Sequence, residues 1–304
     1  MRNLSLAVAA LAAIVLCNIA AAQPAGITME MINTTLPLEG APLAVVGPYA
    51  VIKETAVGAP RYVTYRPADL SAFPARDRLP VLVWGNGGCA IDGGRYAEFL
   101  GTIASHGFLV MTTTALEGEG RMQQTPPMLV AAVDWAQAEN QRAGSPLEGK
   151  IDMSHVAVMG QSCGGMLSVG LGTDPRVGTI GVFNSGVSAP NPEGQDPNRP
   201  TTADLARVHG PVLFINGHER DFMLQASRAN FDLVNNVPTF YGARHGAGHT
   251  ATVFHPGGGE YANVAANWLR YQFKGDSKAG EMFVGSSCSL CTDANWDTAA
   301  KGLR

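Results

Sequence analysis

Long hydrophobic runs are missing from this sequence beyond its first residues. After the apolar stretch at 4–16, no run approaches the ~20 residues that a membrane-spanning helix needs, which excludes a polytopic membrane protein. Basic clusters are missing too. No run of Lys or Arg exceeds two residues, and 21 basic residues stand against 25 acidic ones for a net charge of −4. That balance gives no electrostatic footprint for nucleic acid, so no nucleic-acid partner is expected. Charged residues are sparse at 15% against 46% hydrophobic, which leaves ample material for a large core and excludes intrinsic disorder. The 36 Gly and 19 Pro follow no period and no internal repeat is visible, so they signal tight turns rather than a fibre.

The start of the chain reads as an address. Arg2 precedes the apolar stretch, and Ala20-Ala21-Ala22 stand before Gln23, the pattern of a secretory leader over 1–22 cleaved after Ala22. Cys17 is a poor lipidation site, because Val15 and Leu16 stand where small residues belong. The expectation is an exported protein, extracellular or periplasmic, with no stable membrane insertion. Four cysteines then remain, Cys89, Cys163, Cys288 and Cys291, an even count that favours two disulfides in an oxidising compartment.

At about 150 residues per domain the length allows two domains, but α/β architectures often use it as one. The reading is a single catalytic domain over 23–304. Two β-rich runs, 49–56 and 61–66, flank a Gly-Ala-Pro turn and suggest an antiparallel hairpin. A rhythm follows. Apolar strands are expected at 80–84, 108–113, 156–160, 179–184, 211–216 and 238–242, and helices at 96–105, 127–141, 164–171, 224–234 and 261–273. Uninterrupted apolar strands alternating with helices mean a mostly parallel, eight-stranded sheet covered on both faces. The polar, turn-rich segment 185–209 breaks the rhythm and reads as a surface loop insertion near the site.

Gly160-Gln161-Ser162-Cys163-Gly164 is G-x-S-x-G. The apolar run before it and the helical pattern after it supply the strand–turn–helix context that a nucleophile elbow requires, so Ser162 is the candidate nucleophile. A nucleophilic Ser needs a base, and the base an orienting acid, in the chain order Ser, acid, His. Asp221 follows the strand ending at Gly217 and is the preferred acid, with Glu219 the alternative; Asp221 could also cap the next helix. His249, in the glycine-rich loop after the last strand, is the preferred base, with His245 and His255 behind it. His106, His155, His209 and His218 lie at element ends and read as surface or capping residues. His245 and His249 have an i, i+4 spacing, but on a Gly-rich loop that spacing does not face two ligands one way; neither metal nor cofactor is expected.

An oxyanion hole uses two backbone N–H groups. One belongs to Cys163. The other is expected in the loop Gly85-Asn86-Gly87-Gly88-Cys89, from Gly88 first and Gly87 second.

These segments resemble the α/β-hydrolases, in particular the secreted cutinase-like and polyester-hydrolase branch. The resemblance runs through LPVLVWGNGGC, IASHGFLVMTTT, GKIDMSHVAVMGQSCGGMLS, GPVLFINGHERD and GAGHT, which span 79–250 in the family's order. It implies the α/β-hydrolase fold and serine esterase activity, with nucleophile, acid and base falling on Ser162, Asp221 and His249. Cutinase-like enzymes usually carry Met after the nucleophile and an aromatic residue in the oxyanion loop. Here those places hold Cys163 and the Gly88–Cys89 pair, so the resemblance implies no aromatic clamp for a polymer.

The expected function is hydrolysis of a small-molecule or polymeric carboxylic ester through an acyl-enzyme on Ser162. An acyltransferase, a peptidase or a non-catalytic binding protein on the same fold are the alternatives. The mechanism also suggests the disulfides. If Cys163 and the loop ending at Cys89 aim N–H groups at one oxygen, their backbones lie within bridging range, so Cys89 is expected to pair with Cys163 and Cys288 with Cys291.

Overall fold

The computed structural model describes residues 38, 41–75, 77–119, 122–190 and 199–304. The leader expected at 1–22, and residues 191–198 of the expected insertion, lie outside the described residues.

Nine strands form one sheet. They are β1 (Val51–Thr55), β2 (Tyr62–Pro67), β3 (Leu79–Gly85), β4 (Leu109–Thr113), β5 (Ile151–Gln161), β6 (Val177–Phe183), β7 (Val212–Gly217), β8 (Thr239–Arg244) and β9 (Trp296–Lys301). Their order is β1-β2-β4-β3-β5-β6-β7-β8-β9. The six strands β3 to β8 run parallel, the hairpin β1–β2 joins antiparallel to β4, and β9 closes the other edge antiparallel to β8.

Helices cover both faces, and the two-residue period of the strands sorts the core between them. In β3, Leu79, Val81 and Val83 pack on one face with Leu129, Val133 and Ala136 of α2 (Pro126–Gln141) and Leu167 and Leu171 of α3 (Cys163–Leu171). Leu82 and Trp84 pack on the other face with Phe99 and Ile103 of α1 (Ala97–Ala104). Strand β3 is buried throughout, which is why it is a continuous apolar run in the sequence. Helix α2 starts on Pro126 and Pro127, whose fixed φ suits a first turn, and its buried Leu129, Ala132, Val133 and Ala136 follow helical spacing. The short α4 (Thr202–Leu205), then α5 (Leu224–Leu233), α6 (Gly259–Lys274) and α7 (Ser277–Gly280) complete the helices described.

The ninth strand corrects the expected count of eight. Its sequence, WDTAAK, contains no apolar run, because an edge strand buries little beyond its first residue. Side chains hold it instead. Trp296 Nε1 donates to Glu260 Oε1 at 2.8 Å, and Arg244 Nε on β8 donates to Glu260 Oε2 at 2.8 Å, with the ion pair buried under the sheet edge. Lys301 Nζ donates to the carbonyls of Phe231, Asp232 and Val234, satisfying the C-terminal end of α5.

The strand register positions the site. Gly85 of β3 pairs with Gly160 of β5, so the loop after β3 and the turn after β5 leave the sheet side by side. Strand β4 lies to one side of β3 while β5 lies on the other, so this is where the chain reverses its direction across the sheet. In open α/β sheets, that crevice outside the carboxyl ends of the strands is where ligands bind.

Candidate active site

The turn after β5 is sharp. Ser162 has φ 55° and ψ −122°, a left-handed conformation costly for a residue with a side chain. Its amide donates to the Phe183 carbonyl at 2.9 Å, and its own carbonyl accepts from Ser185 Oγ at 2.5 Å. The flanking glycines are steric necessities. A Cβ on Gly160 or Gly164 would overlap the backbone where β3, β5 and α3 cross. The elbow therefore presents the Ser162 side chain above the sheet edge.

Three loops bring partners to it. His249 Nε2 lies 2.8 Å from Ser162 Oγ, and His249 Nδ1 lies 2.9 Å from Asp221 Oδ1. With Nδ1 protonated toward the carboxylate, Nε2 is the acceptor for the serine hydroxyl. Both His249 and Asp221 are buried. The Asp221 carboxylate accepts three further bonds, from the amides of Met223 (3.0 Å) and Gly217 (3.2 Å) and from Asn184 Nδ2 (2.8 Å). Four donors on two oxygens fix its orientation. The bond to the Met223 amide makes a local turn, and α5 begins beyond it at Leu224, so Asp221 is not the helix cap that the sequence allowed. Phe222 stacks on the His249 ring with centroids 4.0 Å apart.

The alternatives lie elsewhere. Glu219 accepts from His218 Nδ1 (2.9 Å) and the Gly246 amide (2.9 Å). His245 contacts Asp297 (3.1 Å), and the buried Nε2 of His255 has no partner among the described residues. His218, His245 and Asp297 present ligand atoms within 4.8 Å of one another, a donor set that could hold a divalent ion. Here both imidazoles bond to Asp297, and although burial opposes it, these bonds hold the Asp297 carboxyl below its usual pKa.

The loop after β3 folds into a helical turn, Gly87–Cys89, in which Gly88 has φ 66°. Cys89 is joined to Cys163, with Cα atoms 5.1 Å apart, and Cys288 is joined to Cys291. The bridge fastens this loop to the elbow. Of the two glycines expected to supply an oxyanion donor, Gly87 is already engaged: its N–H donates to Tyr96 Oη at 2.8 Å. The amides of Gly88 and Cys163 carry no hydrogen bond among the described residues.

Several residues at the site escaped the sequence. Tyr96 Oη donates to Gln161 Oε1 (3.0 Å), and Gln161 Nε2 donates to the His249 carbonyl (2.9 Å). Burial pushes the Tyr96 hydroxyl up to about 12, so it stays protonated and can make both of its bonds. Gln124 accepts from the Asn86 amide (2.7 Å), and Asn86 Nδ2 donates to Thr113 Oγ1 (3.2 Å), bracing the loop from behind. A cavity of about 240 Å³ opens beside Ser162 and His249, walled by Phe222, Phe254 and Arg95.

The architecture is that of an α/β-hydrolase, with strands, helices and elbow in that fold's order. Residues 93–177, which run from the turn before α1 through Ser162 to the start of β6, match the family model described as PET hydrolase-like. The match points to a hydrolase of the α/β type that acts on esters. No curated protein matches the chain.

Proposed function

We propose that the protein is an exported serine hydrolase that cleaves carboxylic esters through an acyl-enzyme on Ser162. The observation that carries this reading is the continuous chain from Asp221 through His249 to Ser162, with contacts of 2.9 and 2.8 Å. In the proposed reaction His249 Nε2 takes the Ser162 proton as Oγ attacks the carbonyl carbon. The amides of Gly88 and Cys163 receive the developing oxyanion. His249 then gives its proton to the leaving alkoxide. Water, deprotonated by the same imidazole, releases the acid and restores Ser162. Asp221 holds the Nδ1–H throughout and favours the imidazolium as it forms.

Export is supported by the leader pattern at 1–22 and by the two disulfides. Among the described residues no helix is long and apolar enough to cross a membrane. The continuous nine-stranded sheet supports one catalytic domain over 23–304.

The family description names a polyester hydrolase, but the cavity at Ser162 has the size for one arm of a small ester. A panel of p-nitrophenyl esters of increasing acyl length, run beside the matched p-nitroanilides, tests the reading. Ester turnover without anilide turnover is expected. Preference for the anilides would make it a peptidase, and no turnover of either would leave a binding protein.

A further inference from the structure

We propose that the ester taken by this cleft carries an anionic group, and that the guanidinium of Arg95 receives it. The inference rests on the ester-hydrolase reading and adds a substrate class to it. Arg95 sits on the helical turn Gly94–Tyr96 and lines the same cavity as Ser162 and His249. Its Cζ stands 3.9 Å from the centroid of the Phe254 ring and 5.9 Å from that of Tyr96, whose rings are themselves 5.2 Å apart. Stacking occupies the face of the guanidinium and holds it in place, but leaves the N–H groups on its edge to be used. Among the described residues Arg95 donates no side-chain hydrogen bond and has no carboxylate within 4.0 Å.

The surroundings sharpen the point. The other Arg that covers aromatic rings among the described residues also meets a carboxylate: Arg228 stands over Phe231 and Tyr241 and reaches Asp232 at 3.3 Å. Arg95 instead projects into a cavity whose lining includes no carboxylate, with Phe222, Phe254 and Thr250 among its walls. The chain as a whole is acidic, at net −4, so an anionic substrate is repelled at long range and gains from a cation beside the nucleophile. The planar fork matches a carboxylate in two parallel bonds. A cavity of about 240 Å³ holds only a short arm, so the charge and the scissile carbonyl are a few bonds apart. The substrate class is therefore the half-ester of a short dicarboxylic acid, or the ester of a short hydroxy acid.

Two substrate pairs test this. In one, the p-nitrophenyl monoester of adipic acid is compared with its methyl diester, which removes charge from the acyl arm. In the other, carboxyphenyl butyrate is compared with its methyl ester, which removes charge from the alcohol arm. Wild type should prefer the anion in at least one pair by about tenfold in kcat/KM, a preference that shrinks with added salt because the site is exposed. Arg95→Gln should collapse that ratio toward unity, Arg95→Glu should invert it, and Arg95→Lys should keep part of it. Equal use of both members of both pairs, or a preference that survives in Arg95→Gln, overturns the proposal while leaving ester hydrolysis intact. Binding of monomethyl adipate to Ser162→Ala, measured by calorimetry with and without Arg95→Gln, reads the site without turnover. Loss of about tenfold in affinity is expected, and an unchanged Kd refutes the anion site even if no ester is hydrolysed.

Discussion

Gln161 Nε2 donates to the main-chain carbonyl of His249 at 2.9 Å, tying the residue before the proposed nucleophile to the residue proposed as its base. The same amide accepts from Tyr96, which in turn accepts from the Gly87 N–H. Three loops that meet nowhere in the sequence are thus joined by one buried chain of hydrogen bonds. Its geometry sets where the His249 ring and the Gly88 amide stand relative to Ser162.

Breaking that chain should slow chemistry more than it weakens binding. Gln161→Leu and Tyr96→Phe are expected to lower kcat by about 10–100-fold with little change in KM, because small misplacements of reacting groups cost that much. Steady-state kinetics decide it. A rise in KM at constant kcat would give these residues a role in substrate contact instead.

The Cys89–Cys163 bridge spans 74 residues of sequence and Cys288–Cys291 only 3. By the chain-entropy model the first stabilises by about 4 kcal/mol and the second by less than about 2. Replacing the Cys288–Cys291 pair by Ala should therefore lower the unfolding free energy less than replacing Cys89 and Cys163. Only the second change should also lower kcat, since it frees the Gly88 loop from the elbow. Denaturant unfolding and turnover of both double variants check the ranking.

Glu260 binds Arg244 and Trp296 at once in a buried setting. Glu260→Ala strands the Arg244 charge and the indole N–H, and should cost about 3–5 kcal/mol. A loss below about 1 kcal/mol in urea titration would show that water reaches this edge of the sheet.

How much of this was legible follows from where each residue's partners lie. The six parallel strands and their helices are visible because a strand segment buried on both faces reads as an apolar run, as LPVLVWG does, whereas the partly exposed start of β5 at 151–155 does not. Ser162 is visible because the crossing of β3, β5 and α3 admits no Cβ at Gly160 or Gly164. Strand β9 is invisible because its anchor is a polar triad rather than a pattern. The places of Tyr96, Gln161, Asn184 and Arg95 beside Ser162 and His249 depend on loops that meet only in space. That the Gly87 amide is taken and the Gly88 amide is not depends on one hydroxyl nine residues on. Asn184 left a faint signal, as a polar residue directly after the apolar run 180–183 at the edge where sites form.

Glu139 offers a pH test. Its side chain is bonded by Arg142 through both oxygens and by Ser145 Oγ, and chiefly the Arg142 bonds hold its pKa below the usual 4.5. A pKa lowered by folding contributes stability above the unfolded value and loses it as pH falls through the folded one. Glu139→Gln should therefore be less stable than wild type at neutral pH, and the gap should close in acid below about pH 4. Thermal unfolding across pH checks this; a gap that stays constant into acid would mean the contribution is packing rather than charge.

The central claim is the covalent one. An activated serine attacks the phosphorus of a fluorophosphonate probe and expels fluoride, and mass spectrometry of the labelled protein places the adduct. The account predicts a single adduct on the peptide containing Ser162, absent from Ser162→Ala. Labelling should be slowed by several decades in His249→Ala and far less in His245→Ala. An adduct on another serine, or Ser162 labelling that proceeds unchanged without His249, would contradict it.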